Sequence, residues 1–166
     1  MRAAPVTYLV EVSLAIVSDC HPLSRGAPTM RFTIERELKA APPDVWKLIG
    51  DFSLSPGNGV SVRVVDAGAE DGTRLVRDIT VGKMAIRERI DEVVPGASFS
   101  YSITKGTPTR WYKGKGQIAA AGDGTAVSWS GEFAPLIPFT GPVIGMIAKR
   151  TVTRYLDAVL SKLDDQ

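Results

Sequence analysis

Thr73-Arg74-Leu75-Val76-Arg77-Asp78-Ile79-Thr80-Val81-Gly82-Lys83-Met84-Ala85-Ile86-Arg87-Glu88-Arg89-Ile90 decides the fold class of this chain. Apolar and polar residues alternate on either side of Gly82-Lys83, the pattern of two half-buried strands. A two-residue turn with Gly first suits a type II′ hairpin and pairs Val81 with Met84. Counting outward, Ile79 meets Ile86, Arg77 meets Glu88, and Leu75 meets Ile90. Strand side chains alternate with period two, so all four pairs share one face. Thr80, Asp78 and Val76 share the other face with Ala85, Arg87 and Arg89, which reads as solvated. The inner face is apolar except for Arg77 opposite Glu88.

The same pattern continues outward in both directions. Val60–Val65, Ser98–Lys105, Thr109–Ala120 and Thr125–Phe133 read as further strands. Most are joined by Gly- or Pro-containing turns such as Asp71-Gly72, Pro95-Gly96 and Gly122-Asp123-Gly124. Connections this short predict an antiparallel meander. Arg31–Leu38 alternates as a first strand, and Ala41-Pro42-Pro43-Asp44 opens a short helix, since Pro is tolerated in a first turn. From Pro142 to Leu163, Ile144, Ile147, Ala148, Thr151, Tyr155, Ala158, Val159 and Leu163 recur at helical spacing. A helix of that length spans about 30 Å, enough to cross a six- or seven-stranded sheet. The expected class is α+β, a curved six- to seven-stranded antiparallel sheet wrapped around a long C-terminal helix.

Composition narrows the chemistry. The 166 residues are 44% apolar and 23% charged, with 20 basic against 18 acidic residues. This balance argues against a strongly nucleic-acid-binding or anionic-membrane protein, and no apolar run reaches the roughly 18 residues of a membrane span. Cys20 and His21 are the sole Cys and His, so a disulfide framework, a zinc site and a His-centred triad are nearly excluded. Both lie in residues 1–29, which read as an N-terminal extension, weakly ordered or upstream of a natural start at Met30. Residues 30–166 then form one domain without His or Cys, and its chemistry rests on carboxylates, Tyr, Lys, Arg and hydroxyls.

The element order, together with Ala41-Pro42-Pro43-Asp44-Val45-Trp46-Lys47-Leu48-Ile49-Gly50-Asp51-Phe52, Glu88-Arg89-Ile90 and Trp129-Ser130-Gly131-Glu132-Phe133, resembles the START-like, birch-pollen-allergen-like superfamily. Within it, residues 31–163 are most similar to the polyketide cyclase/dehydrase and lachrymatory-factor-synthase-like branch. The resemblance implies a helix-grip fold whose cavity, between sheet and long helix, holds small hydrophobic molecules. It does not fix function, because one such fold serves enzymes, receptors and carriers. In the lachrymatory-factor-synthase-like branch an Arg, a Glu and a Tyr serve proton transfer, and the resemblance places those catalytic roles on Arg77, Glu88 and Tyr112.

Strand parity supplies the rest of the lining. A Pro95-Gly96 turn pairs Val94 with Ala97, Ile90 with Tyr101 and Glu88 with Ile103. Pairing Ile118 with Val127 sets Gly116 opposite Trp129, Gly114 opposite Gly131, and Tyr112 opposite Phe133. Candidate ligand-binding residues are therefore Leu75, Ile79, Ile86, Ile90, Tyr101, Ile103, Gly114, Trp129 and Phe133, with Ile147 and Thr151 from the helix. Gly114 and Gly116 either leave room for a ligand or let Trp129 lie flat on the sheet. Tyr101 and Trp129 read equally as core. Arg77–Glu88 has three readings: a marginal cross-strand ion pair, a polar anchor in an apolar pocket, or a catalytic pair.

The functional expectation is a carrier or sensor for a small hydrophobic ligand with a polar end. The alternatives are a cofactor-independent cyclase or dehydratase using Glu88 as acid or base with Arg77 and Tyr112, and an interaction module. No cofactor, metal, nucleic acid or membrane span is expected, the assembly is a monomer or homodimer, and the location is cytoplasmic. Hairpin turns alternate ends, so Gly82-Lys83, Lys105–Pro108 and Ala134–Gly141 share one end, the expected mouth of the cavity.

Overall fold

The structure is a computed structural model that describes residues 28–163. The reading of the N-terminal extension thus falls, save for Pro28 and Thr29, outside the described residues. In chain order the elements are β1 (Met30–Leu38), α1 (Pro42–Ile49), β2 (Val60–Asp66), β3 (Val76–Val81), β4 (Met84–Val94), β5 (Ser98–Lys105), β6 (Thr109–Ala121), β7 (Gly124–Pro135) and α2 (Gly141–Leu160). The strands form one seven-stranded sheet in the order β1-β7-β6-β5-β4-β3-β2, antiparallel throughout. One face of the sheet, α1 and the C-terminal half of α2 enclose the core, which includes Phe32, Val45, Ile49, Ile90, Phe99, Trp129, Leu156 and Val159. The α+β helix-grip expectation holds.

Local chemistry accounts for the elements. Gly82 takes φ 61 at the β3–β4 turn, a left-handed conformation that Gly adopts without steric cost. The register on either side is the expected one, Val81 with Met84, Ile79 with Ile86 and Arg77 with Glu88. Pro42 and Pro43 fill the first turn of α1, and Val45, Leu48 and Ile49 face the core. In α2, Pro142 again sits in the first turn, and buried residues concentrate from Tyr155 to Leu160. A short 3-10 turn, Ser161–Leu163, replaces the last helical turn expected from sequence.

Three register details differ from expectation. The strand expected from Thr73 begins at Val76, because Arg74 takes φ 63 and breaks the extended run. Ile90 still exchanges backbone bonds with Arg74 and Leu75, at 2.8 and 2.9 Å. Val94 pairs with Ser98, not Ala97, and an irregularity between Ile90 and Glu92 restores the Ile90–Tyr101 and Glu88–Ile103 pairs. A further irregularity lies between Arg87 and Glu88. Such irregularities bend the strand that carries them, and both fall in β4.

Candidate functional site

Arg77 occupies the middle of β3, where residues alternate between buried and half-buried. It is fully buried, and Glu88, across the β3–β4 ladder, is 3% exposed. Arg77 Nε donates to Glu88 Oε1 at 2.6 Å, and Nη1 donates to the Phe52 carbonyl at 2.9 Å. The guanidinium carbon lies 5.5 Å from the Phe52 ring centroid and 5.6 Å from that of Tyr155, a cation–π sandwich. Nη2 lies 2.6 Å from the same Glu88 oxygen but makes no hydrogen bond of good geometry.

Burial alone would lower the Arg77 pKa, but the Glu88 carboxylate, and then Tyr155, outweigh it and raise it. Around the pair stand three phenols. Burial raises the pKa of Tyr101, and the nearby Tyr112 and Glu88 add to the effect. Burial likewise raises Tyr112 and Tyr155, the latter against the opposing pull of Arg77. All three are therefore protonated at neutral pH and able to donate. Tyr101 Oη already accepts from Trp129 Nε1 at 2.9 Å.

This polar cluster forms the inner end of a pocket between the sheet and α2. Its walls are Ile79, Val81, Met84, Ile86, Ile103, Trp129 and Thr107 from the sheet side, and Ala148, Thr151, Val152 and Tyr155 from α2. The free space is about 510 Å³, part of it open to solvent, and the centre of a water molecule can occupy about 50 Å³ of it. Lining side chains are buried at Arg77, Tyr101 and Tyr112 and partly exposed at Met84, Ile86, Ile103 and Thr107. The space therefore opens toward the β3–β4 and β5–β6 connections.

Of the residues singled out from sequence, Arg77, Ile79, Ile86, Glu88, Tyr101, Ile103, Tyr112, Trp129 and Thr151 line this pocket together. The others are elsewhere. Ile90 and Phe133 are wholly buried in the core, and Phe133 stacks on Tyr112 at 5.8 Å between ring centroids. Leu75 packs at the core margin. Ile147 is 42% exposed. Gly114 opens no space: it pairs directly with Tyr101, whose ring a Cβ there would overlap. Gly116 is likewise covered, a Cβ there falling 2.7 Å from the Phe99 ring.

Sequence reasoning missed Val81, Met84, Thr107, Ala148, Val152 and Tyr155. Val81 and Met84 carry the same strand parity as Ile79 and Ile86. Ala148, Thr151, Val152 and Tyr155 follow three- and four-residue steps on one helix face, so the signal for each was in the pattern.

The outer face is a contrast. Arg63 and Arg87 both bond Asp78, at 2.5 and 2.7 Å. Arg87 first, then Arg63, lower the Asp78 pKa to about 2. Arg89 pairs with Asp91 at 2.8 Å. Among the described residues no three His, Cys, Asp or Glu side chains gather as metal ligands, and no helix is long and apolar enough to cross a membrane.

Known proteins match this chain at two levels, family and fold. Residues 29–166 match the family described as polyketide cyclase / dehydrase and lipid transport. The chain belongs to this family. Solved structures share its fold. Norcoclaurine synthase from Thalictrum flavum superposes with a TM-score of 0.69 at 15% identity, over 93% of this chain and 99% of the synthase. The protein Ara h 8.0201 gives 0.68 at 17% identity, over 83% of this chain and 99% of that one. The Zhui aromatase/cyclase from a Streptomyces strain gives 0.68 at 14% identity, over 82% and 94%. No curated protein sequence matches the chain. At these identities the likeness carries the fold; the pocket of this chain is floored by Arg77, Glu88 and three phenols.

Proposed function

We propose that this protein binds a small, mostly apolar molecule with one oxygen-bearing polar end, as a carrier or sensor. The observation that carries this reading is the Arg77–Glu88 ion pair, buried at the inner end of an otherwise apolar pocket. A buried ion pair is costly unless further hydrogen bonds satisfy its remaining protons and lone pairs. A ligand carbonyl, hydroxyl or carboxylate reaching the Arg77 guanidinium would supply one, while the ligand's apolar body contacts Ile79, Ile86 and Val152. Native mass spectrometry of freshly purified protein, followed by organic extraction, tests this. A retained small apolar molecule, displaced when Thr151→Trp fills the pocket, is the expected result. An empty protein that also fails to take up aromatic carboxylates would sink the reading.

A second reading rests on Glu88, a carboxylate with three protonated phenols around it. The named enzymes among the structural neighbours make such chemistry a fair expectation for this fold. Here Glu88 would move a proton on a carbonyl-bearing substrate, Arg77 would stabilise the developing oxyanion, and Tyr112 would act as an auxiliary donor. Glu88→Gln keeps the shape and removes the base. Loss of turnover with binding retained would support catalysis, and unchanged turnover would return the site to a carrier.

A further inference from the structure

Among the described residues, six of the ten exposed large apolar side chains, Leu136, Ile137, Phe139, Val143, Met146 and Ile147, lie in the β7–α2 connection and the first turns of α2. Surface apolar residues are ordinary when scattered, but a contiguous group marks an interaction site. Phe139 is 97% exposed and takes φ 66, which is rare for a bulky residue. The loop that presents it is braced. Leu136 N–H donates to the Pro108 carbonyl at 3.0 Å, and Thr140 Oγ1 donates to the Ile137 carbonyl at 2.7 Å.

The charges around it are of one sign. Lys83, Lys105, Arg110, Lys149, Arg150 and Arg154 lie on the β3–β4 and β5–β6 connections and on α2. These elements meet at one end of the sheet: Gly82 lies within 4.0 Å of Arg154 for an added Cβ, and Gly106 lies against the backbone of Ala85. None of the six cations has a carboxylate partner among the described residues; Lys113 and Lys115 on β6 also lack one, whereas Arg31, Arg63, Arg87 and Arg89 are paired. No Asp or Glu occurs from Ala134 to Leu156, from Lys105 to Arg110, or from Gly82 to Met84. Glu70, Asp71 and Asp123 lie instead on the connections of the opposite end.

We propose that this end docks on the surface of an anionic lipid bilayer. Ile137, Phe139 and Met146 would enter the boundary between headgroups and acyl chains, and the unpaired cations would meet lipid phosphates above them. An apolar tip ringed by free cations fits that layered chemistry, where an uncharged apolar protein surface would leave six cations unpaired. The pocket opens at the same end, so an apolar ligand could pass between bilayer and pocket without crossing water. That last step rests on the pocket reading, whereas docking itself does not.

The test is flotation of the full chain with vesicles of phosphatidylcholine alone or with added phosphatidylglycerol. Binding should require the anionic lipid and weaken at high salt. Ile137→Asp with Phe139→Asp, and separately Lys149→Glu with Arg150→Glu, should each reduce the bound fraction about tenfold with unchanged melting, since these side chains are not core. Phe139→Cys in a Cys20→Ser background, labelled with an environment-sensitive dye, should shift its emission to the blue on anionic vesicles. Equal binding to both vesicle types, no binding, or no dye shift overturns the proposal. So does a wild-type dimer that the double Asp variant splits, which would make the patch a contact between two copies. These readouts need no pocket ligand, so their failure and a failure of ligand binding are distinguishable.

Discussion

Arg77 Nε and Glu88 Oε1 lie 2.6 Å apart across the β3–β4 ladder, with side-chain exposures of 1% and 3%. At that burial the pair cannot be treated as a surface ion pair, whose worth is about 0–1 kcal/mol. Removing one partner of a buried pair leaves an uncompensated charge and costs about 3–5 kcal/mol. Arg77→Met alone should therefore destabilise the fold by that amount, with Arg77→Met/Glu88→Leu recovering much of it. Urea unfolding of the four proteins in the cycle measures the coupling. A coupling near zero would mean that water reaches the pair, and the polar floor would lose its special standing.

Much of this relationship was legible in the sequence because a two-residue turn fixes register. Gly82-Lys83 admits one pairing, and parity then carries Arg77 and Glu88 to the same apolar face. The four residues from Lys105 to Pro108 fix nothing comparable between β5 and β6. The direct Tyr101–Gly114 pairing therefore stayed hidden, and with it the fact that an aromatic ring lies over that glycine. Helical spacing placed Tyr155 on the inward face of α2 but not at a cation–π distance from Arg77, since periodicity gives a direction and no depth. Ile147 shows the converse. Its spacing is right, but buried residues of α2 concentrate in its C-terminal half, from Tyr155 to Leu160, and Ile147 is 42% exposed.

The three buried phenols give the protein an alkaline limit. Burial is the first cause of the raised pKa in Tyr101, Tyr112 and Tyr155, whose ordinary value is 10.0. Above that value the unfolded chain ionises while the folded protein keeps its protons, so the unfolded state binds fewer. Stability is then intact below about pH 10 and falls as the pH rises further. Urea midpoints should decline from that point, and tyrosinate absorbance from these residues should appear in step with unfolding. Phenols that titrate near their ordinary value in a folded protein would contradict the burial argument.

Gly114 offers a test of packing independent of charge. Its partner ring, Tyr101, is held from the other side by the Trp129 hydrogen bond and by Phe99, 6.1 Å away between ring centroids. The ring has little freedom to retreat from an added methyl. Gly114→Ala should cost about 1–3 kcal/mol by overpacking, seen as a lower melting temperature with an unchanged far-ultraviolet spectrum. A neutral result would mean that the Tyr101 ring is mobile.

Ligand entry should register at one end of the sheet. The pocket's partly exposed lining, Met84, Ile86, Ile103 and Thr107, faces the β3–β4 and β5–β6 connections, and the β7–α2 connection is tied to the latter through Leu136 and Pro108. Opening there breaks few core contacts, because Ile144 is the one buried large side chain in the first three turns of α2. Local openings of such weakly packed segments dominate their amide exchange. A bound ligand bridging Thr151 and Val152 to the sheet should suppress them. With naphthoate as an aromatic carboxylate probe, exchange should slow in residues 82–84, 105–108 and 136–141 and stay unchanged in 70–72 and 95–96. Arg77→Met, if it folds, should abolish the effect by removing the cation at the inner end, while Thr151→Trp should abolish it by filling the pocket. Slowing confined to 70–72 and 95–96 would place the entrance at the opposite end, beneath the loop that precedes β3.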